Sequence, residues 1–323
     1  MKHTIGLIGN PVEHSRSPEL FQLFFEKSPD KSWQYNLWRI TDINSILHQI
    51  NEESLRGFNI TLPHKTTIIP QLQYLSSDAL AIQAVNTAIA LPNNPEAMDL
   101  FLRRLESSSP KQTIKTTLAQ DSLPLSQKIL PGFNANIHKI LPGFNTDIHK
   151  ILLGFNTDIL GFLDSVLEAM SINPSFSAST PANEMYSRAI VIGNGGSAKA
   201  VLHALNSLGI PIIQYSRTEN ISSNVKSMEA LTSLSPLDQT LWINTTPLGM
   251  HPQHHSMPQV PPSSIHPSDT LIDLIYNPEE TQLMKLFLSS GAIAKNGFTM
   301  LRSQAHHAWQ LFKLSAEISE LFQ

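Results

Sequence analysis

Two kinds of spacing alternate along the first part of the chain: short apolar runs, and longer stretches with apolar residues at helical intervals. Residues 4–8 form a compact apolar run closed by Asn10-Pro11, which predicts a buried strand. Ser17-Pro18-Glu19 then supplies an N-cap hydroxyl, a proline at the first helical position and an acid in the first turn, ahead of Leu20, Phe21, Leu23 and Phe24. A helix starts there. Residues 33–40 read as a second strand, 41–50 as a helix and 58–62 as a third strand. A helix follows from about Lys65, and 85–91 read as a fourth strand. This alternation predicts an α/β layer structure.

From Pro92 the pattern changes. Residues 95–106 fit a short amphipathic helix, whereas 107–127 are rich in Ser, Pro, Lys, Gln and Thr without periodicity, which reads as a surface insertion. An eleven-residue repeat then occurs three times: KILPGFNANIH over 128–138, KILPGFNTDIH over 139–149 and KILLGFNTDIL over 150–160. Such units are too short for a solenoid, so a tandem duplication of one segment is the better reading. Only the third copy runs on into a helical face of Phe162, Leu163, Val166, Leu167 and Met170. That copy is therefore expected to enter the sheet, with the other two in an extended surface excursion. After a polar linker at 173–187, a second α/β block begins. Strands are expected at 189–192, 210–215, 241–244 and 271–275. Helices are expected at 197–208, from Glu279, and from about Phe298 to the end.

Composition narrows the class. The chain has 323 residues, enough for two ordinary domains, with 41% apolar and 15% charged positions. A net charge of −4 leaves no basic field for nucleic acid or anionic lipid. Cysteine is absent, which removes disulfides, thiolate metal sites and cysteine nucleophiles together. Neither a signal segment nor a long apolar span is evident, so the expectation is a cytoplasmic protein without membrane contact. Thirteen histidines include the pairs His254-His255 and His306-His307, but neither has an accompanying acid, and no metal is expected.

Residues 188–198 carry the sharpest local signal: an apolar strand, a glycine turn, then a helix. Gly193, Gly195 and Ala198 fit G-x-G-x-x-A, a tight turn, a close approach of backbone to a pyrophosphate and a close helix–strand packing. Asn194, Gly196 and Ser197 complete a helix N-terminus that offers N–H groups to phosphates. The next strand ends in Tyr215-Ser216-Arg217-Thr218. A carboxylate for a ribose 2′-hydroxyl is missing there, while a guanidinium flanked by Ser216 and Thr218 suits a 2′-phosphate. NADP is the expected cofactor.

Several segments, in order, resemble the shikimate dehydrogenase family. They are residues 9–18 (GNPVEHSRSP), 57–65 (GFNITLPHK), 84–87 (AVNT) and 154–158 (GFNTD). In the second half they are 244–250 (NTTPLGM), 273–278 (DLIYNP) and 296–305. The resemblance covers the chain apart from roughly 92–149 and the linker. It implies an N-terminal α/β substrate domain over 1–160, a connecting helix and linker over 161–187, and a Rossmann-like NADP domain over 188–296. A terminal helix over 297–323 would pack back on the first domain, with the active site in the cleft between domains. The implied activity is reversible NADPH-dependent reduction of 3-dehydroshikimate to shikimate, a small-molecule reaction. A homodimer is compatible with this reading. Ser15 and Ser17 would bind the substrate carboxylate, and Asn59, Thr61, Asn86, Tyr276 and Gln304 the rest of the substrate. Lys65 and Asp158 would be catalytic, and Thr246, Leu274 and Gly297 would join the cofactor set. Asp147 occupies the equivalent place in the second repeat. Gln83 departs from the family, which usually has glycine before A-V-N, and Ser216 stands where asparagine is usual. The alternatives are an NAD-using quinate/shikimate dehydrogenase and a catalytically inactive shikimate-binding relative.

Overall fold

The computed structural model describes residues 2–30, 32–46, 53–108, 137–139, 149–173, 180–217, 219–220 and 225–322. They form two compact units, Met1–Thr157 with Gln304–Gln323, and Asp158–Ser303.

The first unit is built on a seven-stranded mixed sheet. Its β1 (His3–Gly9) is buried along its whole length, as an apolar run flanked by two parallel neighbours should be. Those neighbours are β2 (Trp33–Arg39) and β3 (Gly57–Ile60). β3 is followed by antiparallel β5 (Thr87–Pro92) and β7 (Lys150–Phe155), then by β4 (Tyr74–Ser76) and the edge strand β6 (Ile137–Lys139). Helix α1 (Ser17–Lys27) buries Leu20, Phe21 and Phe25. Their rings meet Trp309 and Phe312 of the long terminal helix, with Phe25 5.5 Å from Trp309 and Phe21 6.0 Å from Phe312. Short helices α2 (His64–Thr67) and α3 (Ser77–Ile82) follow β3 and β4, and α4 (Pro95–Ser108) follows β5.

Four points of the fold bear on these expectations. First, in the span where a helix was expected, 41–50, Ile43–Ile46 form a 3-10 turn and residues 47–50 lie outside the described residues. Asp42 accepts from the Asn44 amide, an Asx turn that competes with helix entry. Second, β4 and α3 were not foreseen. Third, the amphipathic helix expected at 95–106 is present as α4, which buries Ala97, Met98, Phe101 and Leu105, and Phe101 packs edge-on to Phe155 of β7. Fourth, the first two repeats are not wholly outside the sheet. Ile137–Lys139, at their junction, pairs antiparallel with β4, and His138 meets the Ser77 hydroxyl. The third repeat is the one that forms β7, six residues paired with β5 from Thr87↔Phe155 to Pro92↔Lys150.

The second unit opens with α5 (Asp158–Ile172) and a short α6 (Ala182–Met185). A fully parallel six-stranded sheet follows, in the order β10–β9–β8–β11–β12–β13. These strands are β8 (Arg188–Ile192), β9 (Ile212–Ser216), β10 (Val225–Ser227), β11 (Thr240–Asn244), β12 (Thr270–Asp273) and β13 (Ile293–Lys295). The order reverses at β8/β11, which is the topology of a doubly wound nucleotide-binding fold. Helix α7 (Gly196–Ser207) turns Ala198, Ala200, Val201, Ala204 and Leu205 inward, and α8 (Gln282–Ser289) buries Leu283, Met284 and Phe287. Phe287 lies edge-on to Trp242, 5.5 Å between centroids, in the core beneath β11. The last helix, α9 (Phe298–Leu321), completes the chain. Among the described residues no helix is long and apolar enough to cross a membrane.

Candidate active site

In the first unit, a row of neutral polar side chains crosses the sheet. α1 begins at Ser17 itself, with Arg16 at the cap and no side-chain capping bond, so the Ser17 hydroxyl is not the N-cap that the sequence suggested. Ser15 Oγ donates to Ser17 Oγ at 3.1 Å and accepts from the Ser17 amide at 3.2 Å. Ser17 in turn bonds the phenol of Tyr35 on β2, a buried group whose ionisation is pushed well up by burial. Tyr35 Oη donates to Asn59 Oδ1 at 3.0 Å, and Asn59 Nδ2 donates to Thr87 Oγ1 at 3.1 Å. Thr87 Oγ1 donates to Asn86 Oδ1 at 3.2 Å, and Asn86 Nδ2 to Thr157 Oγ1 at 3.0 Å. Strands β2, β3 and β5, with the start of α1 and the residues just after β7, thus hold one hydrogen-bonded series from Ser15 to Thr157. It contains both donors and acceptors and no fixed charge, which suits a polyhydroxy ligand.

Lys65 sits in α2, half-buried. Its carbonyl accepts from the Val85 amide at 2.7 Å, which ties α2 to the segment that carries Asn86. The preceding loop is anchored too: the Thr61 amide donates to Ile8 O at 2.9 Å, and the buried His64 meets Ile40 O through Nε2 at 2.6 Å. Asp158 is buried at the first turn of α5, directly after Thr157. The third repeat reaches this position because its polar residues find partners: Asn156 Nδ2 donates to Ala84 O, and the Thr157 amide to Asn86 Oδ1 at 2.7 Å. Gln304, on α9, and Thr61 are half-buried. Tyr35, Thr87 and Thr157 were not singled out beforehand. The two threonines lay inside quoted motifs, but Tyr35 had no local signal, because only strand pairing brings it to Asn59.

The second unit forms the glycine turn. Gly193 has φ +117°, and a side chain there would overlap the Thr245 hydroxyl. Its amide donates to Tyr215 O at 2.8 Å, and its carbonyl accepts from Gln214 Nε2 at 2.7 Å. Asn194 and Gly195 are exposed, with nothing within 4 Å of the position where a Gly195 Cβ would stand. Gly196 and Ser197 open α7, and Ala198 is buried against the sheet. The turn therefore leaves backbone N–H groups open at a helix N-terminus, as a pyrophosphate requires. Ser216 is buried at the end of β9 and Arg217 is exposed next to it; Thr218 lies outside the described residues. Thr246 follows β11, and both its amide and hydroxyl donate to Asn244 Oδ1. Leu274 and the half-buried Tyr276 follow β12. Gly297 packs directly on the Leu274 backbone, with no room for a Cβ, and its amide donates to Ile275 O at 2.9 Å. Among the described residues no group of three His, Cys, Asp or Glu side chains is arranged to hold a metal ion.

Comparison with known proteins fits both halves. Residues 7–88 match the family model of the shikimate dehydrogenase substrate binding domain. The NADP(+) shikimate dehydrogenase of Caldanaerobacter subterraneus subsp. tengcongensis is 26% identical over 324 residues, covering 95% of this chain and 90% of that protein. Over nearly its whole length the chain is thus similar to NADP(+) shikimate dehydrogenases, and its N-terminal segment matches their substrate binding domain. The NADP(+) shikimate dehydrogenase of Clostridium beijerinckii is 27% identical over 329 residues, with 98% of this chain and 94% of that protein covered. The likeness in fold extends over the whole chain. A chorismate mutase/shikimate 5-dehydrogenase fusion protein from Clostridium acetobutylicum superposes with a TM-score of 0.65 at 24% identity, over 100% of this chain and 97% of that one.

Proposed function

We propose that this protein is a cytoplasmic, NADP-dependent shikimate dehydrogenase that reversibly reduces 3-dehydroshikimate to shikimate. The observation that carries the reading is the pairing of two built features in one chain. One is the neutral polar series from Ser15 to Thr157, and the other is a glycine turn whose following strand ends in Arg217 instead of an acid. Full-length similarity to NADP(+) shikimate dehydrogenases supports it.

Ser15 and Ser17 hold the substrate carboxylate with hydroxyl donors beside a helix N-terminus. Asn59, Thr61, Asn86, Tyr276 and Gln304 take the remaining polar groups of the substrate. NADPH, when bound, supplies the hydride for the ring carbonyl. The backbone of Gly193–Ala198 receives its pyrophosphate, and Arg217, with Ser216 and Thr218, grips the 2′-phosphate that distinguishes it from NADH. Thr246, Leu274 and Gly297 complete the cofactor set. Reduction of a ketone also needs a proton at the carbonyl oxygen. Lys65 Nζ delivers it, and the Asp158 carboxylate holds and orients the lysine.

NADPH oxidation with 3-dehydroshikimate, run beside NADH and beside quinate with NADP+, tests the proposal. Turnover with NADPH well above NADH, and with shikimate above quinate, is expected. Comparable rates with NADH would favour the quinate/shikimate class, and binding of shikimate without turnover would favour an inactive relative.

A further inference from the structure

Asp273 is a fully buried carboxylate that the proposed chemistry leaves without a role. It ends β12, and its partners are three neutral donors from three separate segments. Asn244 Nδ2 donates at 2.9 Å from the end of β11, the Ile275 amide at 3.2 Å from the following loop, and Thr281 Oγ1 at 2.6 Å from the cap of α8. Burying an ionisable group with no cation beside it is unfavourable, and leucine or valine would fill a strand end at less cost. The position therefore asks what the acceptor does.

The answer lies one bond further on. An asparagine amide has a donor face and an acceptor face, and a carboxylate accepts only. Asp273 thus obliges Asn244 to present Nδ2 to it and leaves Asn244 Oδ1 pointing at the next loop. There Oδ1 accepts from the Thr246 amide at 3.0 Å and from Thr246 Oγ1 at 2.7 Å. Thr246 Oγ1 in turn accepts from the Leu248 amide at 3.3 Å, which fixes the loop as a turn. On the other side the Leu274 amide donates to Asn244 O at 3.0 Å, and Ile275 O accepts from Gly297. Thr246, Leu274 and Gly297, which the proposed function assigns to the cofactor, are all anchored within two hydrogen bonds of this one carboxylate.

We propose that Asp273 is a positioning residue for the cofactor: its buried carboxylate sets the Asn244 amide and, through it, holds the loops of Thr246 and Leu274 in the shape that binds NADP. The inference rests on the reading that this unit takes NADP. Titration calorimetry of NADP+ against the full-length protein separates the two, because the unaltered protein tests that reading and the variants test the relay. Asp273→Ser removes the acceptors and is expected to weaken NADP+ by about tenfold or more, the scale of leaving a buried donor unpaired. KM for shikimate, at saturating NADP+, should change several-fold less than the NADP+ affinity, since Tyr276 is the one proposed substrate residue in the loop that Asp273 holds and the Ser15–Thr157 series belongs to the other unit. Asp273→Asn keeps one oxygen for Asn244 and Ile275 and should restore most of the affinity. If Asp273→Ser does not fold, Asn244→Ala cuts the same relay one step nearer Thr246 and should show the same selective loss. Unchanged NADP+ affinity in a folded Asp273→Ser or Asn244→Ala protein would overturn the proposal. So would equal losses for NADP+ and shikimate, or a failure of Asp273→Asn to rescue, since these would mark Asp273 as a packing residue. No NADP+ binding by the unaltered protein would remove its premise.

Discussion

Lys65 is half-buried in a four-residue helix and absent from the apolar core, so its side chain is replaceable without loss of core. Lys65→Ala is expected to leave the fold and NADP+ affinity intact and to lower kcat by roughly two to four orders of magnitude, the range for a positioned acid/base group. Steady-state kinetics with NADPH and 3-dehydroshikimate checks this, and an unchanged kcat would refute the assigned role. Arg217 makes the opposite kind of contribution. It is exposed beside the buried Ser216, available to a ligand phosphate and marginal to packing. Arg217→Ala should weaken NADPH by roughly 10- to 150-fold, equivalent to about 1.5–3 kcal/mol for a charge-assisted bond, and leave NADH almost unaffected. Kd values for both cofactors decide it, and equal losses would make the arginine structural.

At the scale of elements, two departures from the family pattern have physical content. Gln83 ends α3 in the left-handed region, φ 51° and ψ 46°, with its amide accepted by Leu80 O, the helix C-cap geometry that favours glycine. The left-handed conformation costs a side-chain-bearing residue roughly 1–2 kcal/mol, and glycine returns about 0.4–1 kcal/mol of that through the unfolded chain. Gln83→Gly should therefore stabilise the protein by a net amount of about 0.5–1 kcal/mol. A higher urea midpoint with an unchanged m-value is the expected result. The repeat is the second departure. Its third copy forms β7, since Asn156 and Thr157 bond to Ala84 and Asn86 while Leu152 and Phe155 enter the core. Asp158→Asn should then abolish most turnover and Asp147→Asn almost none, although Asp147 lies outside the described residues. The reverse outcome in the same assay would shift the catalytic acid by one repeat. Deletion of all of 92–149 would remove the buried face of α4 with Phe101 and the β6 edge pairing, and is expected to destabilise the first unit.

At the scale of the whole molecule, His3 carries the clearest pH dependence. It is buried on β1, accepts at Nδ1 from Arg56 Nε at 3.1 Å, and reaches Asp30 and Glu320 at 3.1 Å each through Nε2. Burial first, and then the Arg56 guanidinium, lower its pKa, while Asp30 and Glu320 oppose this in part. A histidine with a depressed folded pKa takes its proton more readily in the unfolded chain. Its contribution is thus fully present above about pH 6.5 and is lost as pH falls from there through the folded value. Urea midpoints should drop between pH 7.5 and 5.5, and His3→Gln should flatten that part of the profile; an identical slope in the variant would exclude His3. Wherever neighbours along the chain decide the outcome, the sequence by itself determined the result. The apolar runs specified β1, β8, β11 and β12, Pro18 and Glu19 the start of α1, and Gly193, Gly195 and Ala198 the turn into α7, because each needs only a period of two, a period of 3.6 or a particular backbone freedom. Three-residue β4, β6, β10 and β13 carry too little pattern to be read, and pairing alone makes them strands. Tyr35 joins Asn59, and Asp273 joins Asn244, across 24 and 29 residues of chain, distances at which only the closed sheet can choose the partner. The repeat shows the same limit most directly: the three copies have nearly the same local preferences, and the third, continuous with the helix from Asp158, is the one whose Asn156 and Thr157 meet Ala84 and Asn86.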